Sequence, residues 1–409
     1  MDILLGADGQ RRLESYFGGI GHILKHPKCL ASFATYAMGL LGEGERKSVE
    51  PIAARACPDQ RHVDALHQRL LYFLNDSPWS DHDIRRYAAN YALPVLQQHG
   101  PILSWILDDT GFPKQGTHSV GVQRQYTGTL GKVTNCQIGV SLTLGTSAFH
   151  LPIDFELYLP SSWTDDSNRR REARIPDDIL FRTKPQLALQ MLRRAIEDGM
   201  PRGMLLGDTA YGNSSLFRKE VRQMGLYYAL AIDPQTKVFR LGGPPELDGV
   251  AVDVRALAAA WSVTPKLFRR ITWREGTRLS LCARFAIRRV LPAHDDGTPP
   301  QDRKPVWLIC EWLDGERFPS KFYLAHAPSH MSKKELVRRL KERWRTERMY
   351  EDLKGELGLD HFEGRRFPGW HHHVSVVLAC SAFVVAEQAR RFSPLGRWPQ
   401  DSDSLRLAA

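Results

Sequence analysis

Three acidic residues stand in separate and distinctive contexts: Asp108 in WILDDTGFPKQG, Asp208 in MLLGDTAYG and Glu347 in KERWRTERMYEDLKGELGLDHFEG. The first two each close a short apolar run and are followed by a Thr and a Gly-containing turn. The third lies in a basic stretch that reads as a helix. Carboxylates are hard oxygen donors, and three of them suit a cation such as Mg²⁺ that keeps water positions open; Cys and His would select softer metals. Two such cations about 3.5–4 Å apart turn a water or a 3′-hydroxyl into a nucleophile and stabilise charge on a phosphate. Two strand-end aspartates and one helix glutamate therefore point to phosphodiester chemistry. Asp109 adjoins Asp108, and alternation along the strand does not choose between them.

Spacing places cations around the glutamate. At about 100° per residue, Arg343, Glu347, Tyr350 and Lys354 fall within roughly 60° of one another on a continuous helix. On that face Arg343 and Lys354 would hold phosphates and Glu347 would complete the acid set. Surface charge pairing of Glu347, Glu351 and Lys354 is the alternative reading. Lys114, His118 and Arg124, just after Asp108, are further candidates for phosphate contact, against a plain exposed turn and strand.

The elements that must position these residues follow from periodicity. Residues 11–23, 30–41, 63–74 and 81–98 carry apolar side chains at helical spacing. Residues 46–74 read as two short helices around Cys57-Pro58-Asp59, compatible with a helix-turn-helix or an ordinary bundle. From Pro101 the texture becomes strand-rich: 102–107, 119–126, 135–144 and 148–158. A basic loop, Asn168 to Arg171, precedes a helix at 185–198, a strand at 204–206, a helix at 214–224 and a strand at 227–232. This order is that of the ribonuclease H-like fold, in which the strands preceding Asp108 and Asp208 are neighbours. Residues 235–325 read as a β-rich insertion with spacers at Asp295-Asp296-Gly297 and Pro299-Pro300. Ser332-Lys333-Lys334-Glu335 is a capping box that starts a helix.

The expected fold is α/β, with a ribonuclease H-like catalytic core. The expected organisation is a helical DNA-binding region at 1–100, core at 101–234, insertion at 235–325, a helical part of the core at 326–392 and a tail at 393–409.

A net charge of +10 favours a polyanionic partner, nucleic acid first. The six cysteines form no CxxC pair, which argues against a zinc ribbon or redox motif. The N-terminus lacks the pattern of a signal peptide. The apolar run Val374 to Val385 is shorter than the roughly 20 residues that span a bilayer and reads as a buried helix. A cytoplasmic protein with reduced thiols and no membrane partner is the expectation. Neither a G-x-x-x-x-G-K-[ST] phosphate loop nor a G-x-S-x-G nucleophile element is present. His371-His372-His373 cannot all face one metal on a helix, so they read as a cluster at a helix entry.

Arg343-x3-Glu347-x6-Lys354 matches the third motif of bacterial DDE transposases, Y-x2-R-x3-E-x6-K. The strings LDDTGFPKQGTHSVGVQRQYTG, GDTAYG and ERWRTERMYEDLKGELGLDHFEGR, followed by GWHHH, resemble the insertion sequence 701 family, and the resemblance runs through about Gln388. The motif's first Tyr, which helps hold DNA phosphate in relatives, falls at Leu340. The resemblance implies a DDE core with Asp108, Asp208 and Glu347 as catalytic acids and ligands of a two-metal Mg²⁺ site that Mn²⁺ can also fill. On relatives' usage Asp108 is preferred over Asp109. It implies cleavage at the ends of a mobile element and 3′-hydroxyl attack on a target. The implied partners are double-stranded DNA, both terminal inverted repeats and target, and further copies of the chain on that DNA, in a bacterial, nucleoid-associated setting. Trp273 and Trp312 are candidates for stabilising a displaced base, with core packing as the alternative.

Overall fold

The computed structural model describes residues 2–241, 250–274, 281–293, 298–299 and 302–392. The spacers at 295–297 and at Pro300, and the tail at 393–409, lie outside the described residues. In chain order the helices are α1 Asp2–Leu24, α2 Pro27–Leu41, α3 Val49–Ala56, α4 Val63–Asn75, α5 Asp81–Gln97, α6 Ser161–Thr164, α7 Ser167–Ala173, α8 Lys184–Glu197, α9 Thr209–Gly212, α10 Ser215–Gln223, α11 Val254–Ser262, α12 Lys333–Leu340, α13 Arg345–Gly355 and α14 Phe367–Arg391. The strands are β1 Ser104–Pro113, β2 Gln123–Thr127, β3 Lys132–Gly145, β4 His150–Tyr158, β5 Met204–Gly207, β6 Tyr228–Ile232, β7 Lys237–Arg240, β8 Val252–Asp253, β9 Arg269–Arg274, β10 Leu281–Pro292, β11 Val306–Trp312 and β12 Lys321–His326. The architecture is mixed α/β, with parallel and antiparallel pairing. Two compact units divide the chain: Met1–Ile102, Asp109–Thr183 and Arg345–Ala409 form the first, Leu103–Asp108 and Lys184–Trp344 the second.

In the first unit the helices expected from apolar spacing are present, and α3 and α4 flank the Cys57-Pro58-Asp59 turn. Side-chain caps set their starts. His26 accepts from the Lys28 N–H before Pro27 opens α2, and Ser80 accepts from the Asp83 N–H at α5. These helices pack around α14, which touches α5, α4, α2 and β4. By length and composition α14 is apolar enough to cross a membrane, but 89% of its most apolar window is buried within the protein. It is a core helix. β3 pairs with β2 from Gln123↔Cys136 to Thr127↔Lys132, and with β4 from Ile138↔Tyr158 to Gly145↔His150.

Two expectations change here. The strand expected at 119–126 begins only at Gln123, because Gly121 has φ 74° and Val122 N–H closes a turn onto Ser119 O. The basic run Asn168 to Arg171 is not a loop but part of α7, since Asp166 caps it by accepting from the Asn168 and Arg169 N–H groups. Arg170 donates to the carbonyls of Thr164, Pro176 and Ile179, and Arg169 lies over Trp163 at 4.3 Å, so both cations have structural contacts.

In the second unit the strand order is β1-β5-β6-β12-β11-β10-β7-β8, with β9 on β10. β1–β5 and β5–β6 are parallel, and the remaining pairs are antiparallel. One apolar cluster joins Ile106, Leu206, Phe285, Ile309 and Leu340; a second joins Val238, Leu257, Phe268, Leu308 and Leu324. α12 starts where the capping box placed it: Ser332 Oγ accepts from the Glu335 N–H at 3.1 Å.

Candidate active site

β1 and β5 run parallel in the register Ser104↔Met204, Trp105↔Leu205 and Ile106↔Leu206. Asp108 and Asp208 each lie two residues beyond the last of these pairs. The Trp105 indole N–H donates to Pro201 O at 2.8 Å and pins that register. Asp208 sits at the end of β5 and caps α9, its Oδ1 accepting from the Ala210 N–H at 2.9 Å. Gly212 closes this turn. A Cβ there would fall 1.7 Å from Ala231 O on β6, so the turn needs glycine to seat.

Asp108 departs from expectation in one respect. It is not at a strand end, because β1, which also pairs with β3, continues to Pro113. Asp108 instead lies just beyond where pairing with β5 stops. Its side chain is largely buried and accepts from Arg343 Nη1 at 2.8 Å. Asp109 is half-buried, and successive strand side chains face opposite ways.

Arg343 is also placed differently from the expectation of one helical face. Lys341–Trp344 is a 3₁₀ turn and α13 begins at Arg345, so Arg343 does not share a helix face with Glu347. The turn is held by a buried charge cluster. Lys341 donates to Glu311, a fully buried acid on β11, which also accepts from Tyr323 Oη at 3.0 Å. The Lys341 ammonium lies 4.6 Å from the Trp273 ring, and burial lowers its pKa despite the nearby Glu311 carboxylate. Sequence reasoning missed this cluster. The available signal was a lone acid in the apolar strand VWLICEW, since a buried charge must be paired. Leu340, where relatives carry Tyr, is a core residue packed with Ile106 and Phe285.

In the first unit, Glu347 is exposed on α13. Tyr350 and Lys354, three and seven residues on, fasten that helix. Tyr350 Oη bonds Ser141 Oγ of β3. Lys354 Nζ donates to Thr110 Oγ1 at 2.8 Å and Gly111 O at 2.9 Å, and lies over the Phe112 ring. Lys114 donates to Phe362 O, and burial lowers the pKa of both lysines. His118 and Arg124 are exposed. Of the residues singled out from sequence, Asp108, Asp208 and Arg343 thus fall in one unit and Glu347, Tyr350, Lys354, Lys114, His118 and Arg124 in the other.

The three consecutive histidines of α14 are buried and serve different partners. His371 lies 3.7 Å from Asp81, His372 stacks on Trp79, and His373 meets Tyr36 Oη at 2.8 Å. Trp273 packs edge-on to Phe285, and Trp312 carries Arg284 over its ring at 3.9 Å while donating to Glu316 O. Both tryptophans are packing residues in this arrangement.

Among the described residues no set of three or more His, Cys, Asp and Glu side chains gathers as a metal cage. The two register-matched aspartates supply oxygen donors alone, and that donor chemistry fits a hard divalent cation. Arg343 donates to one oxygen of Asp108, so a cation bound at that carboxylate would share it with the guanidinium.

A family described as DDE superfamily endonuclease matches residues 22–280. A probable transposase for insertion sequence element IS701 from Microchaete diplosiphon is 30% identical over 202 residues, covering 49% of this chain and 48% of that protein. The match thus spans about half the length of the relative. With the family's match covering more than half of the sequence, the chain belongs to the DDE superfamily endonucleases.

Proposed function

We propose that this chain is a DNA transposase that cleaves the ends of an insertion sequence and joins them to target DNA, built on a ribonuclease H-like core. The observation that carries the reading is the matched placement of Asp108 and Asp208 beyond the parallel β1–β5 register. Membership of the endonuclease family and likeness to the IS701 protein support it. Glu347 is the third acid by the family's pattern. Asp108 is preferred to Asp109 because it shares the register of Asp208 and pairs with Arg343.

Asp108, Asp208 and Glu347 would hold divalent metal, Mg²⁺ first with Mn²⁺ as a substitute. Bound metal supplies the activation of a water or 3′-hydroxyl and the stabilisation of charge on the phosphate. The remaining work belongs to side chains. Arg343 compensates the Asp108 carboxylate and offers a guanidinium fork that suits a phosphate. Lys354 and Tyr350 fix the Glu347 helix on β1 and β3. Lys114, His118 and Arg124 extend a cationic path for double-stranded DNA, and the helices within 1–100 add contacts to the element's ends. We infer assembly of more than one copy on paired DNA ends, with 235–325 as an insertion in the core and 326–392 as its helical remainder. The test is incubation of the full chain with its element's ends and a target duplex. Joined products support transposition, and cut ends that are never joined support a nuclease of the same family.

A further inference from the structure

The β2–β3 hairpin carries a feature that the acid site does not use. Its tip presents three apolar side chains to solvent: Tyr126 is 61% exposed, Leu130 45% and Val133 52%. Tyr126 and Val133 are direct cross-strand partners, so they form one patch, with Leu130 in the turn above them. Exposed aromatic and β-branched residues at a hairpin end add nothing to the core of this unit.

The tip is anchored to the strand that bears Asp108. Thr129 Oγ1 accepts from the Gly111 N–H at 3.2 Å and meets Thr110 Oγ1 at 3.2 Å. Thr127 is buried against the same place, and a Cβ on Gly111 would fall 1.9 Å from Thr127 Oγ1. Gly111 therefore lets the hairpin close onto β1 three residues after Asp108, where Lys354 also grips the Gly111 carbonyl. The hairpin is a fixed extension of β1 rather than a loose loop.

Charge selects the partner. No Asp or Glu occurs between Asp109 and Asp154, whereas Lys114, Arg124 and Lys132 do. Arg124 and Lys132 are exposed; Arg124, two residues from Tyr126 on β2, shares the patch's face, while Lys132, paired with Thr127, lies on the other face. Two copies of a chain with a net charge of +10 would repel one another, whereas DNA satisfies both surfaces. Phosphates suit the cations, and an unstacked base suits the tyrosine ring. Apolar wedges flanked by Arg and Lys insert at base steps in this way.

We infer that the hairpin tip is a wedge for distorted DNA: Tyr126 stacks on an unpaired base, Leu130 and Val133 shield it, and Arg124 holds a flanking phosphate. The inference rests on the DNA-acting reading above. Its test uses the full chain with two short duplexes, one fully paired and one with a single unpaired base. Wild type is expected to prefer the second. Tyr126→Ala should lose that preference by roughly tenfold, while Tyr126→Phe keeps it. Arg124→Ala should weaken binding to both duplexes and lower the salt slope by about 1. Unchanged preference in Tyr126→Ala overturns the wedge and leaves the DNA reading standing. Loss of self-association in that variant without any change in DNA preference would assign the patch to a second copy and also overturn it. If wild type binds neither duplex, the functional reading itself falls.

Discussion

The Arg343 guanidinium donates to the Asp108 carboxylate at 2.8 Å from a 3₁₀ turn that belongs to neither flanking helix. This contact balances the negative charge of a largely buried acid. It also places a cationic side chain where bound metal and a phosphate would both compete, one for Asp108 and the other for Arg343.

Removing the guanidinium should therefore affect two ligands in opposite directions. Arg343→Ala is expected to bind Mn²⁺ more tightly than wild type when no DNA is present, measured by calorimetric titration. The same variant should bind duplex DNA more weakly, with a salt slope lower by about 1. Weaker or unchanged Mn²⁺ binding would show that Arg343 does not restrain Asp108.

Asp208 separates folding from chemistry. Its carboxylate caps α9, and Asn caps as well as Asp does. Asp208→Asn should keep its melting temperature and its DNA affinity. Its Mg²⁺-dependent cleavage should fall by more than the roughly 10–100-fold that loss of an outer-shell partner costs a metal site. Normal cleavage by this variant would remove Asp208 from the acid set.

The turn that carries Arg343 depends on Glu311. Glu311→Ala leaves the buried Lys341 ammonium without its carboxylate, a loss of about 3–5 kcal/mol measurable by urea unfolding. Replacing both partners by apolar residues, Glu311→Leu with Lys341→Met, should recover most of it. Failure of the double variant to recover would show that the pair sets the conformation of the turn and does not merely balance charge.

Buried histidines set an acid limit on stability. Burial pushes His373 down to about 3, so the folded chain refuses a proton that the unfolded chain accepts below its ordinary value of 6.5. Stability is therefore full above that value and falls as pH drops toward 3. Between about pH 7.5 and about pH 5 this one group should cost about 2 kcal/mol. His150 and His326, each pushed down to about 4 by burial, act in the same direction. In urea unfolding at the two pH values, His373→Gln should narrow the difference. An unchanged difference would exclude His373 as a source.

Much of this was legible in the sequence because periodicity is local. The helical spacing at 63–74 and 81–98 needed no tertiary information, and the Ser332 capping box marked a real helix start. The strands before Asp108 and Asp208 were readable as apolar runs. What was not readable depends on partners distant in the chain. Helical spacing puts Arg343 on one face with Glu347 only if the helix is continuous, but the Lys341–Glu311 contact joins residues 30 positions apart and accompanies a 3₁₀ turn. The end of β1 is not legible in the sequence because the strand, which pairs with both β3 and β5, runs on past the apolar run. The basic run at Arg169 to Arg171 resembled a surface loop because its backbone-carbonyl partners have no sequence signature.

Under the proposed function, Asp108 and Asp208 would form a metal-dependent cutting site on DNA. The most direct measurement incubates the full chain with the element's own DNA ends, with and without Mg²⁺, and maps which strand is cut at single-nucleotide resolution. The account predicts cleavage at the element boundary that requires Mg²⁺ and is lost in both Asp108→Asn and Asp208→Asn while each variant still binds the ends. Boundary cleavage that persists in either variant, or that proceeds equally without divalent metal, would contradict it.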